Sequence, residues 1–351
     1  MKTNFLKLFT IMSVIVAFTF SLSSQNLKGV ELTGSGATFP EPLYKKMFDE
    51  YNKSTGAKVN YQGIGSGGGI KQLTEKVTDF GGTDAFMSED EMKKTGADII
   101  HIPTCIGAVV VTYNLPGNPK LRMSSDVITD IFLGKILKWN DPKIAAENTG
   151  VKLPDLKIST VHRSDGSGTT FVFTDYLSKV SKEWKEKVGT DKSPKWLTGL
   201  GGKGNPGVAG LVTQIPGSIG YVELIYALQN KMAFVDVKNK SGNYVTASLK
   251  TSSLSADIAL PNDTRISITD TDAKDGYPIS SFTWLILYKE QNYNNRTETN
   301  AKAVTNLAWW VIHEGQQFPE KLDYSPLPKS AIEKAEKLLK SVAYNGKPIL
   351  K

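Results

Sequence analysis

Cysteine and histidine are nearly missing from this chain. Among its 351 residues there are one cysteine and three histidines. A lone cysteine, Cys105, excludes an intrachain disulfide. It sits in the apolar run PTCIGAVVV, where a buried structural thiol is expected rather than a nucleophile. His101, His162 and His313 form no His-x-x-x-His pair, and no paired-cysteine spacing points to zinc. His101 and His313 lie in or beside apolar runs and are expected to be structural. Long blocks of one charge are also missing. The net charge of +7 is spread over segments of alternating sign, which argues against nucleic acid as a partner. Long hydrophobic runs are missing except at the start, where Lys2 and Lys7 flank an apolar stretch that ends on Ser21-Leu22-Ser23. That pattern predicts a secretory signal peptide over residues 1–23, since the run is short for a span of about 20 apolar residues. No cysteine lies near the cleavage site, so a lipid anchor is not expected. The mature protein is expected to be an exported soluble monomer held together by its core.

Glycine is plentiful, at 31 residues, and it is placed with a pattern. GVELTGSGATF reads as a strand and a tight loop. A helix follows from about Pro40, with Leu43, Tyr44, Met47, Phe48 and Tyr51 on one face and Gly56 as its stop. KVNYQ reads as a strand, GIGSGGG as a loop, and a helix carrying Ile70, Leu73 and Val77 comes next. DFGGTDA, KISTVHR and GSIGYVE read as further strands. Strand, loop and helix in alternation predict an α/β fold with mostly parallel sheets flanked by helices. Two strong apolar strands, from Ile106 and from Ser281, bracket a middle block. They predict a chain that crosses between two lobes twice, near Pro103 and Pro278. The segment from about Lys238 to Asp275 is polar and weakly patterned, and it reads as surface connections.

Three loops share one design: SGATF, GIGSGGG and RSDGSGTT. Each sets Ser or Thr among glycines just before a helix. The first turn of a helix carries unpaired N–H groups and a partial positive charge. Glycines let a ligand approach that backbone, and hydroxyls add donors. One such loop is ordinary capping. Three in one chain, with Arg163 in the third, point to helix starts converging on an anion. A nucleotide, an acyl-enzyme oxyanion or a free inorganic anion would each suit.

The nucleotide and enzyme alternatives find little support. GIGSGG (63–68) and GLGGKG (199–204) both match the dinucleotide fingerprint. The first finds its acid only in Asp84, within a glycine loop, and the second lies between turn residues. The phosphate-loop pattern fails because Ile70 stands where glycine is required before the lysine. Ser66 and Ser167 lack the nucleophile-elbow context, with Ile64 and Asp165 at the first glycine positions. His162 adjoins the third loop, but alternation along the strand turns it away from Arg163. No catalysis is expected. An exported phosphatase using the same pocket, and a receptor for sulfate or molybdate, are the competing readings.

The segments GSGATFPEPLYKKMF, VNYQGIGSGGGIKQL, DFGGTDA, FLGKILKWNDP, RSDGSGTTFVFTDYL, GLGGKGNPGV and GSIGYVE carry a resemblance, in order and over nearly the whole mature chain. The chain resembles the periplasmic phosphate-binding proteins of ABC-type phosphate importers. The resemblance implies a two-lobed type II periplasmic binding fold joined by a two-stranded hinge, with lobe 1 from 27–103 and 279–351 and lobe 2 from 104–278. It implies capture of inorganic phosphate in the periplasm, without a cofactor, and delivery to the importer's membrane permease subunits. It also implies the ligand set Thr38, Phe39, Ser66, Asp84, Arg163, Ser167, Gly168 and Thr169, with Asp165 holding the arginine. Gly67 departs from the family, where serine is common, and so does His162. Neither is a principal ligand position. The residue chemistry agrees with this set. A carboxylate among so many donors makes sense only if the ligand brings a proton, which phosphate has at neutral pH and sulfate lacks.

Overall fold

The run after Pro40 is helical, as its spacing predicts. Helix α1 (Glu41–Thr55) buries Leu43, Tyr44, Met47, Phe48 and Tyr51. It stops at Gly56, whose φ of 81° is the left-handed cap that glycine adopts without steric cost. The computed structural model describes residues 27–350, so the expected signal peptide over 1–23 lies outside the described residues. Strand β1 (Glu31–Gly36) lies between β2 (Lys58–Gly63) and β3 (Phe80–Thr83) and runs parallel to both. Helix α2 (Ser66–Thr74) buries Ile70 and Leu73 but ends before Val77, which is exposed. Lys76 is the reason: its φ of 57° is left-handed and closes the turn. Helix α3 (Glu89–Thr95) opens with a capping box between Ser88 and Glu91.

Strand β4 (Ile99–Tyr113) is buried along its whole length and starts before Ile106. Pro103 masks its first half in the sequence, because proline cannot donate to a ladder. The partner strand accommodates it with an irregular register between Thr283 and Trp284. After β4 come β5 (Arg122–Met123), α4 (Ser125–Phe132), α5 (Pro142–Glu147), β6 (Ser159–Arg163), α6 (Gly168–Val180) and α7 (Lys182–Lys187). Then follow β7 (Leu200–Gly202), α8 (Gly204–Gln214), β8 (Ser218–Glu223), α9 (Leu224–Gln229), β9 (Ala233–Phe234), β10 (Asp236–Lys238) and β11 (Tyr244–Val245). Next come α10 (Leu249–Ser255), β12 (Ser280–Tyr288), α11 (Glu298–Ile312) and α12 (Lys329–Lys340), followed by a short hairpin of β13 (Ala343–Tyr344) and β14 (Lys347–Pro348).

The main sheet has the order β2-β1-β3-β12-β4-β8-β6-β7, with β9 also on β4. β12 runs antiparallel to β3 and to β4, which it pairs from Ile99 to Ala108. From Val109 onward β4 pairs with β8 instead. One continuous strand therefore serves both halves of the sheet. β6 lies parallel to β7 and to β8, and β5, β10 and β11 form a small separate sheet.

The stretch from Lys238 to Asp275 is more ordered than its polarity predicts. It holds β11 and α10, and it buries Asn239, Ser255, Thr264 and Ile268. Its packing is polar rather than periodic. Asn239 donates to the carbonyls of Lys274 and Gly276, Ser255 to that of Tyr277, and Thr264 to that of His101. Cys105 and His101 are both buried. His101 accepts a hydrogen bond from the Met87 amide at Nε2, and burial lowers its pKa to about 3, so it is neutral.

Candidate anion-binding site

The site is assembled where parallel strands end. β1 gives way to Thr38 and Phe39 ahead of α1, β2 to Ser66 at the start of α2, and β3 to Asp84. β6 ends at Arg163 and leads through Asp165 to Ser167, Gly168 and Thr169 at the start of α6. The crevice at the carboxyl ends of parallel strands is where open α/β sheets bind ligands. Thr38, Phe39, Ser66, Asp84, Arg163, Ser167, Gly168 and Thr169 are all buried, and Asp165 is half-buried.

The two sides of the crevice touch closely. A Cβ placed on Gly168 would lie 2.4 Å from Ser66 Oγ and 2.5 Å from Asp84 Oδ2, so only glycine fits between them. The Gly67 amide donates to the Gly166 carbonyl at 2.7 Å, and Lys192 meets Glu91 at 2.8 Å. Helix α6 is held by its core face, where Phe173 stacks on Tyr221 of β8 with ring centroids 4.3 Å apart. The Tyr221 hydroxyl in turn sits 2.6 Å from Thr170 Oγ1 and accepts from the Arg163 amide. Packing thus fixes the helix start relative to the arginine.

Arg163 is fully buried, and its charge is met by a fork. Nε donates to Asp165 Oδ1 at 2.8 Å and Nη2 to Oδ2 at 2.5 Å, while Nη1 points to Thr169 Oγ1 at 3.3 Å. Burial would raise the Asp165 carboxyl, but the guanidinium and the Gly204 amide hold it below its usual value. It is therefore ionised. Asp84 is the opposite case. Burial raises its pKa to about 7, with Thr283, Arg163 and Ser66 opposing the rise only in part. Its Oδ1 accepts from Thr283 Oγ1 at 2.8 Å, and its own amide donates to Ser66 Oγ.

Ser167, a candidate ligand, is also an N-cap, because its Oγ accepts from the Thr170 amide at 3.0 Å. Its own amide goes to the Lys192 carbonyl, so its hydroxyl proton is what it offers a ligand. The cleft therefore presents hydroxyls, first-turn amides of α2 and α6, and a guanidinium, with Asp84 as an acceptor among them. That set suits an oxyanion that brings a proton. Among the described residues no group of three or more histidine, cysteine or acidic side chains could hold a metal ion.

Several contributors escaped the sequence reading. Asn205 is buried at the start of α8, with its amide group between Thr38 and Thr169. GLGGKGNPGV, read as turns, runs from a strand into a helix after all. The strand has only three residues, too few to show alternation. It is a fourth glycine-rich helix start, and the same local signal could have found it. Thr283, Tyr226 and Tyr324 carry no such signal. Tyr226 and Tyr324 donate to the carbonyls of Thr38 and Phe39, each at 2.6 Å, from far along the chain. His162 faces away as expected, stacked on Trp196.

Residues 23–314 match the family model described as a PBP superfamily domain. Two curated relatives, phosphate-binding proteins PstS from Xylella fastidiosa and Pasteurella multocida, are each 43% identical to the chain. The first alignment covers 90% of this chain and 86% of the relative, and the second 92% and 94%. The chain belongs to the PstS family of phosphate-binding proteins. Its fold is the type II one of that superfamily. A crystal structure of a phosphate-binding protein from Stenotrophomonas maltophilia superposes with a TM-score of 0.69 at 19% identity, covering 88% of this chain and 93% of that one.

The raised pKa of Asp84 has a consequence for stability. An unfolded aspartate titrates near about 4, so between that value and about 7 the folded state holds a proton that the unfolded state has lost. Stability of the ligand-free protein should therefore fall as pH rises across this window. Glu223, also pushed up by burial, contributes with the same sign. Asp84→Asn removes the Asp84 share, so thermal melts in phosphate-free buffer should show a shallower decline for the mutant. Parallel profiles for the two proteins would contradict a protonated Asp84.

Proposed function

We propose that this protein captures inorganic phosphate in the periplasm and hands it to the membrane permease subunits of an ABC phosphate importer. It acts as a binder without catalysis, as a monomer, after removal of the signal peptide. The ligands are Thr38, Phe39, Ser66, Asp84, Arg163, Ser167, Gly168 and Thr169, with Asp165 orienting Arg163. The observation that carries this reading is the buried acid Asp84 facing helix starts and a guanidinium, an arrangement that favours an anion bearing a proton. The PstS relatives and the shared superfamily support it. The lobes are residues 27–103 with 279–351, and residues 104–278, joined through β4 and β12. A ligand touching both lobes stabilises the closed arrangement by its differential affinity.

Calorimetry with inorganic phosphate, sulfate and a chromogenic phosphomonoester tests the proposal. In buffer of about pH 9, well above the Asp84 pKa of about 7, phosphate should bind tightly and sulfate poorly, and the ester should not be hydrolysed at any pH. Arg163→Ala should retain a folded melt but lose about 2–5 kcal/mol of phosphate affinity, as expected for a buried charge removed from a desolvated site. Turnover of the ester, or a loss below about tenfold on Arg163→Ala, would overturn the reading.

A further inference from the structure

We propose that Asn205 locks the hydroxyls of Thr38 and Thr169 as donors, so that the proton of a bound phosphate is steered to Asp84. This inference rests on the phosphate reading of the cleft. Asn205 is fully buried in the first turn of α8. Its orientation is fixed by chemistry. Oδ1 accepts from the Glu223 amide at 3.0 Å, and a backbone N–H can only donate. Nδ2 therefore faces the other way, 3.0 Å from Thr38 Oγ1 and 3.1 Å from Thr169 Oγ1.

A hydroxyl has two lone pairs and one proton. Thr38 Oγ1 takes Nδ2 of Asn205 on one lone pair and the Asn205 backbone N–H, at 3.1 Å, on the other. Thr169 Oγ1 takes Nδ2 on one lone pair and Arg163 Nη1, at 3.3 Å, on the other. Amide and guanidinium nitrogens accept nothing. Both hydroxyl protons must then point to a third partner, and neither oxygen can receive a proton from the ligand. Thr38 follows β1 and Thr169 opens α6, so one amide imposes the same polarity on both sides of the crevice. Asp84 remains to accept the ligand's proton. Asn205 is thus a positioning residue, acting through two hydroxyls without touching the anion itself.

The test is a mutant cycle read by calorimetry, with apo thermal melts to verify folding. Asn205→Ala frees both hydroxyls to rotate and should weaken phosphate binding by roughly 10- to 100-fold. Asn205→Leu, of nearly the same shape, carries the test if the alanine variant does not fold. In a Thr38→Val, Thr169→Val background the same change at Asn205 should cost less than about threefold, because its targets are gone. The loss should also shrink toward acid pH, where freed hydroxyls can accept the second proton of dihydrogen phosphate; a packing defect would be independent of pH. If the valine pair leaves phosphate affinity intact, the site assignment falls and takes this inference with it. If the valine pair weakens binding but Asn205 costs as much in that background as in wild type, the site stands and the inference is overturned.

Discussion

A carboxyl group buried at the end of β3, among hydrogen-bond donors, must either keep a proton or meet one. Asp84 is in that position, with burial holding its pKa near about 7. An acid raised in this way is costly to keep charged, and the surrounding groups reduce the cost only in part. Thr283 donates to one oxygen, and the Arg163 charge helps from a distance. The rest of the cleft follows from this need. Its other polar groups are donors or are held as donors, so a ligand that supplies several lone pairs and one proton satisfies the whole set.

The scaffold makes such a set possible at little strain. Strand ends deliver the loops, helix starts deliver the amides, and close glycine contacts let the two sides meet. Arg163 could not be buried alone, because an unpaired guanidinium would cost several kcal/mol or more. Asp165 meets it with a two-pronged contact and is itself tied to the Gly204 amide. The pair is nearly neutral as a unit, yet its Nη1 edge still faces Thr169. The fork thus holds the guanidinium in one orientation, with its Nη1 edge toward the start of α6.

Much of this was legible in the sequence, and the boundary of what was legible has a physical cause. Helix α1, the glycine-hydroxyl loops and the strands ahead of them announce themselves through local rules of capping, period and turn chemistry. The pairing of Arg163 with Asp165 was implied by the family resemblance, and the structure shows the two side chains joined. Asn205 obeys the same local rules and was hidden only by the shortness of β7. Thr283, Tyr221, Tyr226 and Tyr324 belong to another class. Each reaches the site from a distant part of the chain, Tyr221 and Thr283 from strands, Tyr226 from α9 and Tyr324 from a loop, and a single buried aromatic or threonine has no periodicity of its own. The first half of β4 was obscured by Pro103, and the order within 238–275 by polar packing that leaves no hydrophobic pattern.

The central claim is that selection of the anion depends on one proton shared between ligand and Asp84. The ratio of phosphate to sulfate affinity, measured by competition from about pH 5 to about pH 9, tests it directly. Sulfate has no proton to give, so it must bind to protonated Asp84. Above the pKa of about 7 its affinity should fall by roughly tenfold per pH unit. Hydrogen phosphate brings its own proton throughout, so the ratio should climb with pH in the wild type. In Asp84→Asn it should stay nearly level. A wild-type ratio that does not change with pH, or sulfate bound as tightly in alkaline as in acid buffer, would contradict the account.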